Sequence, residues 1–249
     1  MPAAKPAGAL QGRRIVITRP AEKARRLAER LRSLGAVPIE FPTVRIEPAE
    51  AGPLDAALRA LDSFDWIVFT SANGVDAVFA RLAAAGKDAR DVRGRKVAAI
   101  GPVTARALKE HDVTPSLVPK EYVAEAILES LGEVRGKRFL LPRADIAREA
   151  LAVGLKQRGA VVTEVAAYRT VGVSGPPPDL SGADAVTFTS SSTVRHFLAS
   201  GAAVGTAKVV CIGPVTAATA RELGLTVDAV ADEYTEDGLI QALEGVLSP

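Results

Sequence analysis

The sequence predicts an α/β protein of two similar domains, each a parallel sheet flanked by helices, the two joined by a pair of extended crossing strands. Three observations predict it. Short apolar runs alternate with stretches of helical periodicity, the pattern of parallel sheets with right-handed crossovers. Three blocks of sequence occur twice in the same order. Two segments, 37–48 and 161–174, are longer than the extended runs around them and sit at matching places in the two copies.

The repeat is read block by block. Arg14-Ile15-Val16-Ile17-Thr18-Arg19-Pro20, followed by a helical stretch and Gly35-Ala36-Val37, returns as Arg138 to Arg143, a second helical stretch and Gly159-Ala160-Val161. Trp66 to Ser71 is echoed by Ala185 to Ser190. Ile100-Gly101-Pro102-Val103-Thr104-Ala105 returns letter for letter as Ile212 to Ala217, and each copy continues to a Glu-Tyr pair, Glu121-Tyr122 and Glu233-Tyr234. An offset of about 110 to 125 residues indicates a duplicated domain rather than a solenoid. Two like halves make a cleft, and clefts between domains hold ligands.

Along the first copy, Ile15–Thr18, Val37–Phe41, Trp66–Phe69, Val97–Ile100 and Ser116–Val118 read as strands buried on both faces, bounded by Gly, Pro or polar residues. In Ala24–Leu34 the leucines 27, 31 and 34 fall on one helical face, and Gly35 is a natural stop. Val75, Val78, Phe79 and Leu82 repeat that spacing before Gly86. The second half follows the same plan from Phe139 to a helix over Thr235–Leu247. No linker divides the chain at its middle. The long segments 37–48 and 161–174 are therefore expected to run from one domain into the other. This gives a disordered leader over 1–12, a first domain over 13–40 and 172–249, and a second over 41–171. The Gly172–Gly182 stretch, with Pro176-Pro177-Pro178, reads as a surface loop.

Composition narrows the function classes. A hydrophobic content of 48% with 24% charge suits a globular protein, and 249 residues suffice for two modest cores. Net charge is only +2, without a basic run interleaved with aromatics, so no nucleic-acid partner is expected. No apolar run approaches the roughly 18 residues of a membrane span, and Met1–Gly12 lacks the apolar core of a secretion signal. The single cysteine, Cys211, lies in an expected strand as a small buried hydrophobe, in keeping with a cytoplasmic location.

The familiar catalytic signatures are missing. Neither a dinucleotide fingerprint nor a phosphate loop is present, and no Cys/His spacing suits a metal, so no metal and no cofactor are expected. His111 and His196 read as surface or helix-end residues. What remains is a set of strand-to-helix turns rich in hydroxyls and glycine. Thr70-Ser71-Ala72 and Thr189-Ser190-Ser191 follow one pair of strands; Gly101 to Thr104 and Gly213 to Thr216 follow another. In open parallel sheets ligands bind outside the carboxyl ends of the strands, and helix N-termini there attract anions. Pro102 and Pro214 suit the first helical turn. Each hydroxyl could instead merely cap its helix, worth roughly 1 kcal/mol. Arg19 and Arg143, at strand ends, could add bidentate carboxylate contacts or could be solvated surface charges.

Phe69-Thr70-Ser71 with Asn73-Gly74-Val75, the doubled Ile-Gly-Pro-Val-Thr-Ala, Leu141-Pro142-Arg143 and the pattern Val165-x-x-Tyr168-x-Thr170 together resemble the uroporphyrinogen-III synthase family. The resemblance runs from about Arg13 to the last helix. It implies two α/β domains joined by paired strands, the first built from both chain ends. It also implies a cofactor-free reaction, closure of linear hydroxymethylbilane to uroporphyrinogen III with loss of water and inversion of the last pyrrole ring, on the route to haem, sirohaem, cobalamin or chlorophyll. Once the hydroxyl leaves, the pyrrole nitrogen stabilises the cation, and a spiro intermediate forms, fragments and recloses. Uncatalysed, the same tetrapyrrole closes to the wrong isomer, so the protein must chiefly hold it in one fold. Arg19, Thr70, Ser71, Ala72, Gly101, Thr104, Arg143, Thr189, Ser190, Ser191, Gly213 and Thr216 are then the expected substrate-binding residues. By the same resemblance Tyr168 assists departure of the hydroxyl, the alternative being a packed tyrosine with a satisfied hydroxyl. A monomer is expected, its partners being the linear tetrapyrrole and, transiently, the hydroxymethylbilane synthase that hands it over. The competing reading is a non-catalytic two-domain module closing on an anionic small molecule. Such a module usually carries an export signal or a DNA-binding domain, and neither is legible here.

Overall fold

A computed structural model describes residues 8–147 and 149–248. Along the chain run β1 (Arg14–Ile17), α1 (Ala21–Ser33), β2 (Val37–Glu40), β3 (Val44–Pro48), α2 (Ala51–Arg59), β4 (Trp66–Phe69), α3 (Ala72–Ala84), α4 (Ala89–Arg93), β5 (Lys96–Ala99), α5 (Pro102–Glu110) and α6 (Ala124–Ser130). They are followed by β6 (Arg138–Ala144), α7 (Ala150–Gln157), β7 (Val161–Gly172), β8 (Ala185–Phe188), α8 (Ser191–Ala199), β9 (Lys208–Cys211), α9 (Pro214–Glu222), β10 (Ala229–Val230) and α10 (Glu236–Leu247). The architecture is α/β, with two sheets of largely parallel strands between helices. Among the described residues no helix is long and apolar enough to cross a membrane.

The chain divides into two compact units, one of Met1–Arg45 with Val171–Pro249 and one of Ile46–Thr170. Within the first, the strand order is β10-β9-β8-β1-β2; within the second sheet it is β3-β7-β6-β4-β5. The chain leaves the first unit inside β3 and returns to it at the end of β7. The opening strands of each sequence copy thus share a sheet with the later strands of the other copy: β1 pairs with β8, and β6 with β4.

The duplication reaches individual hydrogen bonds. Gly35 and Gly159, both at φ +83°, end α1 and α7 in the left-handed conformation that favours glycine. Their carbonyls accept from the N–H groups of Gly12 and Gly136, each at 2.8 Å. At the start of β1 the Arg14 N–H donates to the Asp184 carboxylate at 2.8 Å, and at the start of β6 the Arg138 N–H donates to Asp65 at the same distance. The first unit packs Ile15, Ile17, Leu27, Leu31 and Leu243 on one face of its sheet and Val186, Phe188, Val194 and Phe197 on the other. The second packs Ile67, Phe69, Val78 and Leu82 on one face and Val68, Phe139, Leu141 and Leu155 on the other. Both sheets are covered on two sides, so their strands read as apolar runs without alternation.

Three expectations need correction. The segment 37–48 is not one strand: β2 and β3 lie in different sheets and are separated at Phe41–Thr43, where Pro42 has no N–H to continue a ladder. Segment 161–174, without proline, forms the single twelve-residue strand β7. Ser116–Val118 makes only an isolated bridge, Leu117 with Ala98, because Pro115 and Pro119 flank it. Of the leader expected over 1–12, residues 1–7 fall outside the described residues, whereas Leu10 is buried against Leu31 and Leu247 in the first core.

Candidate active site

In the second unit, β4 and β5 run in register from Trp66↔Lys96 to Phe69↔Ala99, so the turns after them lie side by side. The Ile100 N–H donates to the Phe69 carbonyl at 3.0 Å, tying Thr70–Ala72 to Gly101–Thr104. The first unit repeats this: Phe188 faces Cys211, and the Ile212 N–H donates to the Phe188 carbonyl at 2.9 Å, placing Thr189–Ser191 beside Gly213–Thr216.

These four helix starts are of two kinds. Ser71 caps α3, its Oγ accepting from the Gly74 N–H at 3.0 Å, and Ser190 caps α8, accepting from the Thr193 N–H at 3.3 Å. There the capping expectation holds. Gly101 and Gly213 cap α5 and α9 with no side-chain bond at all, and proline occupies the first helical turn of each. The open N–H groups of these helices keep their anion-attracting character. Thr104 and Thr216 lie in those open turns, each 4% exposed, and among the described residues neither hydroxyl meets a hydrogen-bond partner. Ser191 is taken up by a 2.7 Å bond to Thr219. Thr70, Ala72 and Thr189 are half-buried at their strand ends.

Tyr122 and Tyr234, the aromatic partners in the repeated Glu-Tyr pairs, fill the space over the two capping glycines. A Cβ built on Gly101 would stand 3.0 Å from Tyr122 Cγ, and one on Gly213 3.2 Å from Tyr234 Cγ. Both glycines have extended φ values, −169° and −175°, so the aromatic ring and not backbone strain explains the missing side chain. Sequence reasoning noted these tyrosines only as markers of the repeat.

The strand-end arginines are neither solvated nor vacant. Arg19 is 12% exposed and reaches Glu236 at 2.6 Å, at the start of α10; Arg143 is 13% exposed and reaches Glu164 on β7 at 3.0 Å. Burial pulls the Arg19 guanidinium down from its ordinary range while the Glu236 carboxylate holds it up. Among the described residues its buried Nε has no partner.

Tyr168 lies on β7 in the second unit, and its position depends on an irregularity. Pairing between β6 and β7 is regular from Arg138↔Val161 to Arg143↔Ala166, then slips so that Ala144 faces Tyr168. The bulge breaks the alternation: Val165 and Ala167 point into the core, and Tyr168 turns inward after Ala167, leaving 8% of it exposed. Its hydroxyl meets Ser71 Oγ at 2.9 Å and also bonds Asn73. The start of α3, which carries Ser71 and Asn73, lies close to β6 at Pro142. Pairing of β4 with β6 ends at Ile67↔Leu140, and α3 approaches so closely that a Cβ on Gly74 would lie 3.0 Å from the Pro142 carbonyl. Burial raises the Tyr168 phenol above its usual range, the Ser71 and Asn73 bonds oppose that, and Asp145 adds to it. The group is therefore a neutral proton donor at ordinary pH.

The structure thus brings Thr70, Ser71, Ala72, Gly101, Thr104, Arg143 and Tyr168 to the carboxyl-end edge of the second sheet, and Arg19, Thr189, Ser190, Ser191, Gly213 and Thr216 to that of the first. Among the described residues no group of three or more His, Cys, Asp or Glu side chains is placed to hold a metal ion. His111 stacks on Phe79 with ring centroids 4.1 Å apart, and His196 lies against Gly172. Burial pushes the Cys211 thiol up to about 12, so it is no nucleophile. The chemistry available is hydrogen bonding, anion binding at open helix ends, and proton donation from one phenol.

Comparison with known proteins supplies the remaining observation. The family described as uroporphyrinogen-III synthase HemD matches residues 25–241. The uroporphyrinogen-III synthase of Synechococcus elongatus is 38% identical, the alignment covering 94% of this chain and 96% of that protein. A crystal structure of a mutant uroporphyrinogen III synthase from the extremely thermophilic bacterium Thermus thermophilus superposes with a TM-score of 0.70 at 22% identity, over 95% of this chain and 99% of the other. That of Helicobacter pylori gives 0.59 at 19% identity, over 92% and 97%. These two likenesses establish the fold.

Proposed function

This chain belongs to the uroporphyrinogen-III synthase family, enzymes of tetrapyrrole biosynthesis, and from that premise we propose that it acts as a cyclising hydro-lyase on hydroxymethylbilane. Water leaves, the last pyrrole ring inverts, and uroporphyrinogen III is released. One observation carries the reading: a buried neutral phenol, Tyr168, is fixed by two hydrogen bonds at the carboxyl-end edge of a sheet. A leaving hydroxyl needs a proton, and this donor keeps its own at neutral pH. The cation that remains is stabilised by the substrate's own pyrrole nitrogen, so no strong base or metal ion is called for.

Holding the substrate falls to the helix starts. Acetate and propionate carboxylates suit the uncapped N–H groups of α5 and α9 together with the unpartnered hydroxyls of Thr104 and Thr216. The serine-capped turns of α3 and α8 are already satisfied and contribute less to that grip. Orientation, worth several kcal/mol in favourable cases, then selects the inverted product over direct closure.

The experiment is a brief incubation of the protein with hydroxymethylbilane, oxidation to porphyrins and chromatographic separation of isomers. An excess of type III is expected; identical type I yields with and without protein overturn the assignment. Tyr168→Phe should slow turnover by about tenfold. A cytoplasmic monomer receiving its substrate from hydroxymethylbilane synthase completes the proposal.

A further inference from the structure

The two serine-capped turns are built alike, yet one of them does something the other does not. In the first unit Ser190 caps α8 and uses its remaining capacity on Ser192, Oγ to Oγ 2.8 Å. The aligned pair in the second unit is Ser71 and Asn73. Ser71 caps α3 in the same way, but both side chains turn to the Tyr168 hydroxyl. The exchange of a serine for the longer asparagine, and the bulge that swings Tyr168 inward, occur in the same unit.

From this asymmetry we propose that Ser71 and Asn73 are positioning residues for Tyr168, a two-donor cradle that holds the phenol oxygen and stabilises it as its proton is given away. The proposal rests on Tyr168 acting as the proton donor. In the proposed cradle the phenol oxygen is the acceptor of both bonds. Ser71 Oγ already accepts from Gly74, which leaves its own O–H free to donate to the phenol oxygen, and the Asn73 amide adds an N–H. The phenol proton is then not spent on protein and points to the substrate. When the C–O bond of the substrate's hydroxymethyl group breaks, that proton goes to the departing oxygen and water leaves. The phenolate left behind faces two donors and the positive end of α3. It regains a proton when the ring carbon that closes the macrocycle loses its own, so the cycle returns the protein unchanged. Ser71 is on this account not a substrate ligand, whereas Ser190, with no phenol to serve, only caps.

A mutant cycle tests the proposal. Ser71→Ala and Asn73→Ala should each lower kcat by about three- to tenfold with KM unchanged, and Ser71→Thr should restore most of the loss. In the Tyr168→Phe background Ser71→Ala should cost nothing further, because the oxygen it serves is gone. Asn73 is not the cap, so Asn73→Ala keeps the test available where Ser71→Ala unfolds. Losses that multiply in the double variant, or a rise in KM, overturn the positioning role while leaving Tyr168 as donor. Unchanged turnover in Tyr168→Phe itself overturns both, and is distinguished by that single variant.

Discussion

The ring of Tyr122 stands 3.0 Å from where a Cβ at position 101 would lie, and that of Tyr234 stands 3.2 Å from the one at 213. The aromatic residue thereby fixes the start of a helix whose first N–H groups stay open. Gly101→Ala should crowd the Tyr122 ring and destabilise the second unit by roughly 1 kcal/mol, the low end of the cost of overpacking a contact. Tyr122→Ala in the same background should relieve that strain. Thermal melts of the single and double variants read it out, a fully additive pair counting against the contact.

Thr104 and Thr216 separate stability from binding. Each is buried, with a hydroxyl that no described residue satisfies. Thr104→Val and Thr216→Val should therefore leave the melting temperature nearly unchanged, since a hydroxyl without a protein partner adds little to the fold. If the hydroxyls bind carboxylates, KM should rise by about three- to tenfold per substitution. A large fall in melting temperature without a change in KM would assign both to packing.

Asp184 and Asp65 predict how the protein responds to acid. Burial works against the charged Asp184, but the Arg14 N–H and the Arg13 guanidinium outweigh it and hold the carboxylate below its usual range. At Asp65 the Arg138 N–H is the main cause of the same downward shift. A depressed folded value means stability that is present above the unfolded value and lost as pH falls through the folded one. The urea midpoint should stay level from pH 7 to about 5 and decline below about pH 4. Asp184→Ala, which leaves the Arg14 N–H unpaired, should cost about 1–3 kcal/mol at pH 7 and flatten the acid decline.

Tyr168 predicts the opposite limb. Burial and Asp145 raise its phenol, against the Ser71 and Asn73 bonds, so the protonated donor persists past pH 10. Turnover should show no loss attributable to this group between pH 7 and pH 10, and should fall only above that. A kcat profile descending through pH 8 to 9 would point to a different donor.

Much of this was legible in the residues themselves. The repeated Arg-led strands, the Thr-Ser turns and the doubled Ile-Gly-Pro-Val-Thr-Ala are local signals, because apolar runs, glycine stops and first-turn prolines act over a few residues. They sufficed for the strands β4 and β8, the helices α1 and α3, the duplication and the four strand-to-helix turns. The resemblance they carry added the family, and with it the proposed reaction and the proposed role of Tyr168. What is decided by long-range pairing was not legible. Pro42 splits one apparent crossing strand in two, the Arg143/Ala144 slip against β7 turns Tyr168 into the core, and Tyr122 lies over Gly101 from 21 residues away. Sequence spacing likewise offered four equivalent turns. Only the folded units make Ser71 a partner of Tyr168, Ser190 a plain cap, and Gly101 and Gly213 open ends. The physical reason is that a hydroxyl's role is set by which partner reaches it first, and those partners arrive from strands distant in the chain.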